Sequence, residues 1–308
     1  MKSNERSKPA LLYFEDERES ASRIALAGAL DLRLIERHRF PDGELKLRLP
    51  PGLPAQVAIL RTLNQPNEKL VELLLAAQTA RQCGAQQLTL VAPYLGYMRQ
   101  DIAFEPGEAV SQRVVGHFLA SLFDAVITVD PHLHRVATLH EAVPARNTMV
   151  LSAAPLLSDL LAARRSRPLL VGPDEESAQW VAQAASRHGF DHVVCHKVRH
   201  GDRSVQIDLA PAAFGGRQVV VLDDVASTGK TLARATQLLL AAGAASVDVA
   251  VTHALFEQDA IPMLREAGVN EIWSTDCVSH DSNAVSMAPS IAQALLQIHA
   301  ASDGDYAD

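Results

Sequence analysis

The sequence predicts an α/β protein of two tandem units, each a mainly parallel sheet flanked by helices, and three observations carry that prediction. Short β-branched runs alternate with amphipathic or Ala/Leu-rich stretches along most of the 308 residues, which is the order of strand-helix-strand units. Runs such as Val219 to Leu222 are apolar at every position, as expected of strands covered on both faces. Residues 56–70, QVAILRTLNQPNEKL, align without a gap against residues 218–232, QVVVLDDVASTGKTL. The helices after both stretches end in Gly-Ala and lead into another strand, so we read a tandem duplication.

In chain order, apolar residues 10–14 form the first expected strand, and the amphipathic stretch 18–30 the first helix. Strand 57–62, the Ala/Leu-rich helix 67–83 and strand 87–92 repeat the alternation, followed by helix 109–123 and strand 125–130. The junction falls near Met149 to Ala154, giving units 1–150 and 151–308. The second unit is expected to hold helix 153–164, strand 168–172, helix 175–188 and strand 192–196. Strand 218–223, helix 230–242, strand 246–252 and helix 286–298 complete it, the last helix being a candidate to pack on the first unit.

Composition narrows the function. A net charge of −8 excludes the broad basic face of a general nucleic-acid binder. No apolar run is long enough to span a bilayer, and the N-terminus MKSNERSKPA lacks a signal-peptide core. Three widely spaced cysteines suit a reducing compartment, so a cytoplasmic protein is expected.

The stretch LDDVASTGKT, residues 222–231, carries the most chemistry. A nucleotide-triphosphate loop would need a glycine where Asp224 stands, so that reading fails despite Gly229-Lys230-Thr231. A strand ending at Asp223, turning through Ala226 to Gly229 and entering a helix near Lys230, would instead aim successive amides at one phosphate. Ser227, Thr228 and Thr231 add hydroxyl donors. Asp223 and Asp224 would repel that phosphate unless they face a sugar diol or a magnesium ion. The plainer alternative is a capped helix after a buried strand, with both acids turned to solvent.

Other strand ends carry polar groups too. RFPDGE (39–44), PYLGYMRQD (93–101), VDPH (129–132), GPDEES (172–177) and KVR (197–199) each have a mundane reading as a turn, an N-cap or a basic surface loop. Their order removes the ambiguity, because together with LDDVASTGKT they resemble the motif series of the ribose-phosphate diphosphokinase family, across roughly residues 10–298. WSTDCVSHDSNAVSMAPSIAQAL is similar to the end of its archaeal-type members.

The resemblance implies two phosphoribosyltransferase-like domains related by a pseudo-twofold, and transfer of the β,γ-diphosphate of ATP to the anomeric hydroxyl of ribose 5-phosphate. It implies that Phe40, Asp42, Gly43 and Glu44 hold adenine from a neighbouring subunit, while Arg99 and Gln100, with Asp101 beside them, meet ATP. His132 and Asp174 match the magnesium positions, and Lys197 and Arg199 the catalytic loop. Asp223, Asp224 and Ser227, Thr228, Gly229, Lys230 and Thr231 match the ribose 5-phosphate site. A homo-oligomer, dimer or higher, follows from the shared ATP site, with no nucleic-acid or membrane partner.

Three departures stand out: Ile102 where many members carry a cation, ATLHEAV (137–143) in place of a packing segment, and Lys230 in place of a glycine. Two other activities compete with the reading. One is a non-catalytic regulatory or scaffold homologue, and the other a phosphoribosyltransferase joining a base to the activated sugar.

Overall fold

The computed structural model describes residues 8–133, 135–200, 204–209 and 212–304, with the backbone alone at 197–200, 204–207 and 302–304. The chain divides into two compact units, Met1–Leu151 with Met287–Asp308, and Ser152–Ser286.

The first unit begins with β1 (Ala10–Tyr13), α1 (Arg18–Gly28), β2 (Asp31–Leu34), β3 (Glu36–Arg39), β4 (Leu45–Arg48) and β5 (Gln56–Leu60). It continues with α2 (Pro66–Gln82), β6 (Gln87–Ala92), α3 (Ser111–Leu122), β7 (Ala125–Val129), α4 (Leu139–Ala142) and β8 (Asn147–Leu151). Six strands form one sheet in the order β2-β1-β5-β6-β7-β8, parallel throughout. Every residue of β6 and β7 is buried, because helices cover both faces and leave no strand position for a solvated side chain. β3 and β4 stand apart as an antiparallel hairpin, registered Glu36 to Arg48 and Arg39 to Leu45.

The second unit runs α5 (Ala154–Arg164), β9 (Leu169–Gly172), α6 (Ala178–His188), β10 (His192–Val194), β11 (His196–His200), β12 (Ser204–Asp208) and β13 (Gln218–Ala226). It ends with α7 (Lys230–Ala241), β14 (Ser246–Ala254), α8 (Ala260–Glu266), β15 (Val269–Thr275) and β16 (Asn283–Val285). Its sheet is again parallel, in the order β10-β9-β13-β14-β15-β16, and β11 and β12 form a hairpin registered Lys197 to Ile207 and Arg199 to Val205. The last helix, α9 (Ala288–Gly304), belongs to the first unit and packs on α1, with Gly28 against Ala292.

The two sheets thus repeat one strand order, each with a hairpin following its edge strand, so the internal repeat in the sequence is a repeat of topology. The sequence pattern missed the short edge strands β2, β8 and β16, and also β15, whose exposed Asn270 and Glu271 break the apolar run. It also ended β13 three residues early. The strand continues to Ala226 because β14 is long enough to pair Asp223 with Val251 and Val225 with His253. Among the described residues, no helix is long and apolar enough to cross a membrane.

Candidate active site

The apolar residues Val219 to Leu222 bury β13 in the second sheet and bring the two acids to its carboxyl edge, where open α/β sheets bind ligands. Asp224 is only 4% exposed, and its amide donates to Asp223 Oδ1 at 3.0 Å, while Asp223 itself is half-buried. The acids are therefore not turned to solvent. The loop beyond them is braced from behind, since the Leu255 and Glu257 amides donate to the Ala226 and Ser227 carbonyls at 2.9 and 3.1 Å.

Gly229 ends that loop with φ +72°, a left-handed conformation that disfavours any residue with a Cβ. It is also the N-cap of α7, so no capping side chain meets the first amides of the helix. Those amides and the positive helix end make an anion cradle, beside half-buried Ser227, Thr228 and Thr231. Lys230 is exposed on the first turn, which holds no acid to neutralise it.

Asp174 lies beyond the end of β9, the strand paired with β13, so it shares an edge with Asp223. It is 6% exposed, and its side chain makes no cap hydrogen bond, so capping does not account for it. Instead its carbonyl accepts from the Ser177 hydroxyl and amide, at 2.6 and 3.2 Å. Lys197 and Arg199 sit on β11, and their side chains lie outside the described residues. The base of that hairpin is tied to the Asp174 loop by His196 Nδ1, 2.8 Å from Glu175 Oε1.

In the first unit, the loop after β6 docks on the start of α3. Ser111 Oγ donates to Gln100 Oε1 at 2.7 Å and the Gln112 amide to the Gln100 carbonyl at 3.1 Å, leaving Arg99 exposed. Gly96 permits this path, because a Cβ there would come 2.6 Å from the Leu63 carbonyl. Asp101 is turned inward, its side chain 2% exposed and accepting from Arg135 Nη1 at 2.6 Å. Arg135 and half-buried His132 come from the loop after β7, the strand next to β6. Nothing in the sequence singled out Arg135.

Phe40, Asp42, Gly43 and Glu44 form the exposed tip of the first hairpin. The Phe40 amide donates to Glu44 and the Gly43 amide to Phe40, both at 2.9 Å, and the Asp42 carboxylate accepts the Glu44 amide at 3.1 Å. Phe40 stacks edge-on with His38 at 4.9 Å. Ion pairs from Arg37 to Glu72 and Arg39 to Glu68 tie the hairpin to α2.

A second group was not legible as a cluster. Arg61 is 1% exposed and lies 2.7 Å from Asp16, 3.2 Å from Glu17 and 2.5 Å from Glu72, with its guanidinium 4.6 Å from the Phe14 ring centre. Glu17 also accepts the Thr62 amide at 2.6 Å, and Lys69 donates to the Thr62 carbonyl and Asn64 Oδ1 at 2.8 and 2.6 Å. Burial pushes the Glu17 carboxyl up to about 7 against the pull of Arg61. Burial, and then Arg61, lowers Lys69. The first unit's counterpart of the loop after Asp223 is therefore occupied by the protein's own charges.

Among the described residues, no three His, Cys, Asp or Glu side chains form a metal cage. Magnesium does not need one: it binds through one or two carboxylates, waters and substrate phosphates, and a buried strand-end carboxylate such as Asp174 fits that donor set.

The profile of the N-terminal domain of ribose phosphate pyrophosphokinase matches residues 10–122, and that of the phosphoribosyl transferase domain matches residues 145–294. A ribose-phosphate pyrophosphokinase of Methanopyrus kandleri is 37% identical over 276 residues, 88% of this chain and 93% of the relative. One from Methanosarcina acetivorans is 35% identical over 280 residues, 90% of this chain and 96% of the relative. In fold, the chain is similar to the crystal structure of phosphoribosylpyrophosphate synthetase from Mycobacterium smegmatis, at TM-score 0.81 and 23% identity, covering 95% of this chain and 99% of that one.

Proposed function

From the premise that the chain belongs to the ribose-phosphate pyrophosphokinase family, we propose that it makes 5-phosphoribosyl 1-diphosphate and AMP from ATP and ribose 5-phosphate. The single observation that supports this most is the second loop: a buried acid pair running into an uncapped helix start. The phosphate of the sugar sits on the amides from Ser227 to Thr231, and Asp223 and Asp224 take its vicinal hydroxyls. That division resolves the clash between acids and phosphate, because a diol donates where a phosphate would repel.

The anomeric oxygen then bonds to the β-phosphorus of ATP as the bond from that phosphorus to the AMP oxygen breaks in line, and the hydroxyl proton is released. Positioning and charge stabilisation must supply most of the rate. Arg99 and Gln100 orient the triphosphate, and Phe40, Asp42, Gly43 and Glu44 hold adenine from a neighbouring subunit of a homo-oligomer. Lys197 and Arg199 bring mobile positive charge to the transferring group. Asp174 and His132, together with the phosphates of ATP, would hold magnesium, which would supply neutralisation of the phosphate charge. Three widely spaced cysteines, suited to a reducing compartment, support a cytoplasmic setting for the reaction.

Purified protein given magnesium, ATP and ribose 5-phosphate tests the reading. AMP release that requires the sugar supports it. Activity only with a base and preformed 5-phosphoribosyl 1-diphosphate would replace it with the transferase alternative, and no activity in either assay would favour the non-catalytic homologue.

A further inference from the structure

We propose that Arg135 is a triphosphate-binding cation, and that Asp101 acts through it by holding the guanidinium in place. The inference rests on the proposed function and specifies its ATP site. A carboxylate among phosphate-binding groups is an electrostatic liability if it faces the anion. Asp101 does not: its side chain is 2% exposed, one oxygen takes the Arg135 bond at 2.6 Å, and the other has no partner among the described residues.

The guanidinium on the far side of that pair is 54% exposed. It spends one of its five N–H donors on Asp101, and among the described residues no other hydrogen bond from it is found. Only the Arg135 side of the pair is exposed, and the pair keeps buried Asp101 from standing without a countercharge. It also fixes the aim of a planar fork suited to phosphate oxygens. The two loops involved leave adjacent parallel strands, β6 and β7, at their carboxyl edge, the same edge that presents Arg99 and His132. Arg135 thus brings positive charge to Asp101, the residue before Ile102, where the sequence supplies no cation.

The test is Arg135→Gln, measured in steady state and by calorimetry with ATP, ADP and AMP. The KM for ATP is expected to rise by about tenfold or more, as for loss of a charged hydrogen bond, with the KM for ribose 5-phosphate unchanged, while the melting temperature falls because buried Asp101 loses its countercharge. Binding of ATP and ADP should weaken while AMP, which lacks the outer phosphates, binds as before. Adding Ile102→Lys to the variant should recover much of the ATP affinity. An unchanged KM for ATP, or equal losses for ATP, AMP and ribose 5-phosphate, would overturn the assignment. Wild-type protein that releases no AMP, yet loses its preference for ATP over AMP on Arg135→Gln, would refute the proposed reaction and leave this role of Arg135 intact.

Discussion

Arg61 and Asp223 occupy matching positions in the sequence repeat, Arg61 just after β5 and Asp223 within β13, each the strand third in line in its sheet, and meet opposite surroundings. Arg61 is sealed among Asp16, Glu17 and Glu72, whereas Asp223 is half-buried beside a helix start without a capping side chain. A phosphate approaching the first loop would confront three carboxylates already serving a guanidinium. One copy of the repeated loop is closed by the protein's own charges, and the other leaves an uncapped helix start beside two acids.

Arg61→Met should destabilise the fold by about 3–5 kcal/mol, because it takes the ion pair from buried Glu17 and leaves buried Glu72 with Arg37 alone. The double variant Arg61→Met, Glu72→Met should recover a large part of that loss. Urea unfolding midpoints of the three proteins check both statements, and a double variant as weak as the single one would show that the cluster is not an isolated charge pair.

Glu17 makes stability depend on pH. Its carboxyl titrates near 7 in the fold instead of 4.5, so the native state binds more protons across that window than the unfolded chain does. Its contribution is fully present below the unfolded value and is lost as pH rises through about 7. Glu17→Gln, which cannot ionise, should therefore gain on wild type as pH is raised across this range. Melting curves at several pH values would show the gap moving in that direction, and a constant gap would rule the titration out.

Asp223→Asn should raise the KM for ribose 5-phosphate by about tenfold or more, the scale of one charged hydrogen bond, and leave the KM for ATP nearly as it was. Asparagine keeps the acceptor for the Asp224 amide, so the loop geometry survives. Equal changes in both constants would point to a general loss of structure.

Lys197→Ala should lower turnover by about a hundredfold or more, as when one transition-state donor is removed. Rapid-quench measurement of AMP formation separates that loss from slow product release. Turnover near that of wild type would remove Lys197 from the chemistry.

The duplicated strand order and the strand-turn-helix form of residues 218–241 were legible because both rest on local patterns: buried apolar runs, and acids followed by hydroxyls, glycine and a helix. What was not legible depends on long-range pairing. Asp101 reads as a ligand-facing acid, yet its partner Arg135 lies 34 residues away and leaves no trace in spacing. Arg61 likewise takes its neighbours from β1's loop and from α2, segments that only the folded sheet brings together. Edge strands such as β16, at three residues, are too short to carry a period.

The most direct measurement is a crystal structure of the protein with ribose 5-phosphate bound. The account predicts the 5-phosphate within hydrogen-bond reach of the backbone amides between Ser227 and Thr231, and the 2- and 3-hydroxyls on the carboxylates of Asp223 and Asp224. Density for the sugar phosphate at any other site, with this loop empty, would contradict it.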